Sequence, residues 1–153
     1  MKFMIITFAV ALLSIGFALA QPAKKPAGFD PKRDAAKDID AAIRKAQKEG
    51  KRILIDVGGE WCIWCHKLEE FFETNKDATK LRDKYYVTVK VNWSPENKNE
   101  QVLSKYPKIE GFPHLFVLDK NGKLLHSQDT GLLESGDHHD HDKVMEFLNK
   151  WAK

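Results

Sequence analysis

The pattern of apolar residues predicts an α/β fold: a central mixed β-sheet with helices packed on both faces. Three observations carry this expectation. Apolar residues recur at helical spacing in segments near both ends of the chain. Short runs of β-forming residues lie between such segments, as in Ile53-Leu54-Ile55-Asp56-Val57. Asn121-Gly122 separates two further apolar runs, the signature of a hairpin. In order, the elements read α-β-α-β-α-β-β-α, which packs most simply as one sheet between helical layers.

The first residues lie outside that sheet. Lys2 supplies a positive start, residues 3–19 are almost wholly apolar, and Ala18-Leu19-Ala20 fits the small-x-small rule. Residues 1–20 are therefore expected to be a signal peptide cleaved after Ala20. The rival, an uncleaved anchor, needs about 20 apolar residues, and this run is somewhat short. No Cys stands at the cleavage point to carry a lipid. Removing 20 of 153 residues leaves 133, one domain of ordinary size. Residues 21–29, with Pro22 and Pro26, read as a flexible leader, and residues 30–153 as the domain.

Asp30-Pro31 suits a helix start, and Ala35, Ile39, Ala42, Ile43 and Ala46 form one apolar face that Gly50 can stop. The buried strand from Ile53 ends at Gly58-Gly59. A second helix opens near Cys62, with Cys65, Leu68 and Phe72 on one face. Residues 85–91 alternate as a strand, and residues 97–106 form a weaker helical pattern. His114-Leu115-Phe116-Val117-Leu118 and Lys123-Leu124-Leu125-His126 flank the Asn-Gly turn. Val144, Phe147, Leu148 and Trp151 give the last helix its apolar face. Residues 137–142, rich in His and Asp, read as a solvated loop ahead of it.

The 25 Lys and Arg against 22 Asp and Glu leave a formal charge of +3. The lysines are spread along the chain, so no nucleic-acid surface is expected. Only two cysteines are present, three positions apart. An exported protein stapled for stability usually has more, placed farther apart, so a single close pair points to chemistry. A bond closing so short a loop would restrain little chain entropy.

Trp61-Cys62-Ile63-Trp64-Cys65 follows a buried strand and opens a helix. One helical turn brings both sulfurs within bonding reach. Cys62 falls where free N–H groups and the helix dipole favour a thiolate, which makes it the nucleophile and Cys65 the more buried resolving thiol.

This segment resembles the thioredoxin superfamily, most closely its exported bacterial members with Trp-Cys-x-Trp-Cys. The likeness extends over residues 53–151. Asp56 stands where such proteins carry a buried acid, Ile109-Glu110-Gly111-Phe112-Pro113 is similar to the segment ending in cis-proline, and Asn121-Gly122-Lys123 matches the following hairpin. The resemblance implies a thioredoxin fold and a thiol–disulfide oxidoreductase in which Cys62 attacks, Cys65 releases and Asp56 accepts a proton from Cys65. It implies a cis Pro113, with Phe112 pairing to substrate backbone. Asp56 could instead be a satisfied structural group, and Trp61 and Trp64 are read equally as packing residues or as a substrate rim. No cofactor beyond the Cys62–Cys65 disulfide is expected. Two departures matter: Ile63-Trp64 is not the dipeptide of the familiar reductases, oxidases or isomerases, and His114 stands where many relatives carry Thr.

Two rivals remain at this level. Cys62-Ile63-Trp64-Cys65-His66 also reads as a c-type haem attachment site with His66 as axial ligand. The preceding strand, the proline segment and the hairpin oppose it. In the redox reading His66 either approaches the Cys62 thiolate or is solvated. The second rival is a metal-binding or delivery module using His138, His139 and His141. The expected protein is a periplasmic or extracellular monomer. It acts on protein or small-molecule disulfides and draws electrons from a membrane redox partner. Ile63 and Trp64 add no positive charge beside Cys62, so a potential nearer about −270 mV than about −120 mV is expected, that of a reductant or isomerase.

Overall fold

The computed structural model describes residues 28–152. The expected signal peptide and most of the expected leader lie outside them. Phe29 does not behave as leader: it is 2% exposed and packs with Cys62 and Cys65.

Helix α1 spans Ala35–Glu49. Asp34, not Asp30, caps it, its carboxylate accepting from the Lys37 N–H. Asp30 instead closes a turn, accepting from Lys32 and Arg33 N–H groups. The helix starts where its apolar stripe starts, at Ala35. Gly50 ends it at φ 67°, a conformation natural to glycine, with its N–H on the Ala46 carbonyl.

Strand β1, Arg52–Gly58, lies inside the sheet. It pairs in parallel with β2, Tyr86–Asn92, and antiparallel with β3, His114–Leu118. β4, Leu124–Asp129, pairs antiparallel with β3 and completes the order β2-β1-β3-β4. Strand alternation then divides the core. Ile53, Ile55 and Val57 pack toward α1 with Val87, Val89, Val91 and Phe116. Leu54 faces the opposite layer with Tyr86, Leu115 and Val117. That layer contains α2 (Ile63–Thr74), α3 (Lys76–Tyr85) and α5 (His141–Trp151). The result is the mixed α/β sandwich of helices about a sheet.

Several elements depart from the pattern-based expectation. The sequence pattern does not single out α3, because its apolar face is thin: Ala78 is buried, and Leu81 and Tyr85 are only half-buried against the same layer. Asn75 separates it from α2 by turning its side-chain amide onto the Phe71 carbonyl. The helical pattern of residues 97–106 condenses to one turn, α4, Glu100–Leu103. Asn92, Asn97 and Asn99 bond the preceding loop to itself and hold Asn99 at φ 50°. The hairpin loop is wider than Asn-Gly alone: Asp119 accepts from both Asn121 and Lys123 N–H groups. After a 3-10 turn, Thr130–Leu133, β5 (Glu134–Ser135) and β6 (His138–His139) make a small second hairpin. The His-rich segment is therefore part of a hairpin and the start of α5, not a solvated loop. No helix among the described residues is long and apolar enough to cross a membrane.

Candidate functional site

β1 delivers the chain from the middle of the sheet to Cys62, the N-cap of α2. The Cys62 sulfur accepts from the Cys65 N–H at 3.1 Å, so a helix-start amide, which also reaches the Cys62 carbonyl, already faces the atom that would carry charge. Cys62 and Cys65 are joined as a disulfide with Cα atoms 5.2 Å apart. Gly58 makes room beneath: a Cβ there would stand 2.4 Å from the Cys65 sulfur and 3.1 Å from the Phe29 ring.

Asp56 lies two residues before Gly58, on the same face of β1, and is 8% exposed. Burial raises its pKa to about 6, against the opposing pull of Lys90; Glu69 adds a small upward push and Arg82 a downward one. Lys90 stands opposite in the parallel register and binds Glu69 at 3.1 Å. Asp56 Oδ1 has no hydrogen-bond partner. It borders a cavity of about 450 Å³ that Leu68, Phe72 and Thr88 also line. Burial thus leaves at Asp56 a carboxyl that takes up its proton at about pH 6.

The two tryptophans part company. Trp61 is 54% exposed and donates from Nε1 to the Trp93 carbonyl at 2.8 Å. Its ring lies 5.9 Å from Trp93 and 5.6 Å from Phe112, and those two are 4.9 Å apart. A Cβ on Gly59 would collide with this indole at 2.3 Å. Trp64 instead turns toward β6, with the His139 ring 5.6 Å away and Lys67 Nζ 4.4 Å from its centroid. The Phe112–Pro113 peptide is cis, and the Pro113 carbonyl accepts from Thr130 Oγ1. His114 is buried, pairs through Nε2 with Ser127 at 2.8 Å, and has its pKa lowered by burial.

The structure brings Cys62, Cys65, Trp61, Trp64, Phe112 and Pro113 to one end of the sheet, with Asp56 below them. Trp93, Lys90 and Glu69 went unnoticed in the sequence. Lys90 and Glu69 had a signal: a lone charge in an alternating strand and an acid one turn after Cys65 on the same helix. Trp93 had none, because only the sheet register places it beside Trp61.

The remaining histidines do not converge. His66 donates from Nε2 to the Glu60 carbonyl at 2.7 Å, which occupies the nitrogen that an axial haem ligand would offer. His138 pairs with Asp137, His139 is buried against Trp64, and His141 pairs with Asp77 at 2.8 Å. Among the described residues no group of three or more His, Cys, Asp or Glu side chains is arranged to hold a metal.

Comparison with known proteins agrees with this geometry. The chain is 27% identical over 88 residues to the thiol:disulfide interchange protein DsbD of Actinobacillus pleuropneumoniae, covering 57% of this chain and 15% of that one. It is 27% identical over 93 residues to the disulfide bond reductase DsbH of Chlamydia pneumoniae, covering 55% of each. The chain thus spans about half or less of the length of these two relatives. Among solved structures, a disulphide isomerase from Xylella fastidiosa superposes with a TM-score of 0.71 at 23% identity, over 82% of this chain and 96% of that one. The C-terminal domain of Neisseria meningitidis DsbD gives 0.56 at 18% identity, over 82% and 99%. The Thioredoxin-like family model matches residues 34–120, from the cap of α1 to the β3–β4 turn. By fold, by cysteine pair and by that match, the chain belongs to the Thioredoxin-like family.

Proposed function

We propose that this protein is an exported thiol–disulfide oxidoreductase that reduces or isomerises disulfides of other exported proteins. The observation that carries the reading is the Cys62–Cys65 disulfide at the α2 N-cap, on the same sheet face as a buried carboxyl. In the reduced protein the Cys62 thiolate attacks one sulfur of a substrate disulfide and expels the other as a thiolate. Cys65 then attacks the Cys62 sulfur of the mixed disulfide. The substrate leaves as a dithiol, and the Cys62–Cys65 bond is restored. Asp56 takes the Cys65 proton in that second step, a task suited to a carboxyl with a pKa of about 6. The Trp61, Trp93 and Phe112 rings flank Cys62 as the apolar side of the substrate groove. A membrane-embedded reductase returns the two electrons.

The test is turnover of a protein disulfide. Cys62→Ser is expected to abolish it, and Cys65→Ser to accumulate mixed disulfides with substrate. Full activity in Cys62→Ser would refute the assignment.

A further inference from the structure

The β5–β6 hairpin lies against α2 beside the cysteine pair and is tied down along its length. Asp140 N–H donates to the Leu133 carbonyl, Lys143 Nζ to the Glu134 carbonyl, and Lys67 Nζ to the Asp137 carbonyl. Its inward residue, His139, is 3% exposed and meets Trp64 edge to face, the ring planes at 82°. Lys67 lies over the same indole. Neither ring nitrogen of His139 has a hydrogen-bond partner. Burial, with Lys67 and His138 nearby, keeps the ring neutral down to about pH 4. A buried imidazole N–H without a partner is costly compared with a ring that needs none. A position that gives up stability in this way is characteristic of a functional site.

We propose that His139 is a positioning residue of the redox site: it holds Trp64 against the hairpin, fixes the turn between Cys62 and Cys65, and favours the disulfide over the dithiol. The inference rests on the oxidoreductase reading above. Reduction by two glutathione molecules breaks the Cys62–Cys65 bond and gives two electrons and two protons to its sulfurs. The two glutathione sulfurs join to form glutathione disulfide. The two sulfurs, no longer bonded, then part to non-bonded contact, and the turn that carries them must adjust. Ile63, 66% exposed, can follow that movement freely. Trp64 cannot, because any displacement gives up its contacts with His139 and Lys67. The hairpin thereby makes the dithiol a stronger reductant than its dipeptide alone would.

The experiment is the equilibrium of the full chain with reduced and oxidised glutathione. His139→Ala is expected to shift it toward the dithiol by at least about threefold. His139→Phe, which keeps the ring, should return it to within about twofold of the original. Trp64→Ala should shift it in the same direction as His139→Ala, and adding His139→Ala to Trp64→Ala should change nothing more. Leu133→Ala, a core change at the foot of the same hairpin, should lower thermal stability without moving the equilibrium. An unshifted Trp64→Ala protein, or a folded His139→Ala protein with no shift, would overturn the proposal. So would an equal shift in Leu133→Ala. An original protein that does not exchange with glutathione at all would instead refute the oxidoreductase reading itself.

Discussion

At Asp56 the sheet holds a carboxyl out of water, and that has a measurable price in pH dependence. Its folded pKa of about 6 lies above the ordinary aspartate value of 3.8. The native state therefore binds this proton more tightly than the unfolded chain does. The penalty is absent below about pH 4, grows as pH rises through 6, and reaches about 3 kcal/mol at neutrality. Asp56→Asn should accordingly raise the denaturant midpoint at about pH 7.5 and show no such gain at about pH 3.5. An equal gain at both values would mean that packing, not ionisation, is responsible. At this scale the sequence was informative where chemistry is contiguous. Cys62, Cys65 and Trp61 sit in one short motif, and Pro113 ends another. Phe29 and Trp93 were not legible as site residues, and His139 only as a candidate metal ligand, since tertiary packing alone brings each to this end of the sheet.

Among the elements, α1 and α5 were legible because each carries a continuous apolar stripe, and β1 because a short apolar run of β-formers has few other readings. α3 packs through Ala78, Leu81 and Tyr85 and through Arg82 lying over the Phe72 ring, a face too thin and too rich in charge to stand out in the sequence. The start of α1 shows the competition between caps: Asp30 and Asp34 are both good N-cap residues, and the apolar stripe decides for Asp34. Asp34→Ala should therefore lower the midpoint of a chemical denaturation curve while leaving the rate of disulfide reduction unchanged. Asp30→Ala should cost less, because it loosens a surface turn only.

For the whole molecule, the sheet order β2-β1-β3-β4 places the strand that leads to the redox pair between two neighbours, with helices over both faces. β4, by contrast, has an open edge and is mostly half-buried. The α/β class and the central mixed sheet followed from the element order alone. The position of β1 within it did not, because a parallel β1–β2 pair joins segments separated by two helices, one of them invisible in the pattern. That interior position has a consequence for how the molecule breathes. Backbone amides of Ile53, Ile55 and Val57 should exchange with deuterium only when the entire domain opens, while the unpaired edge of β4 exchanges by local fraying. The floor beneath the cysteines would then belong to the last cooperative unit to give way, and thiol chemistry at Cys62 would take place on a support that stays closed until the protein itself unfolds. Exchange of β1 amides as fast as those of β4, measured by mass spectrometry under native conditions, would contradict this.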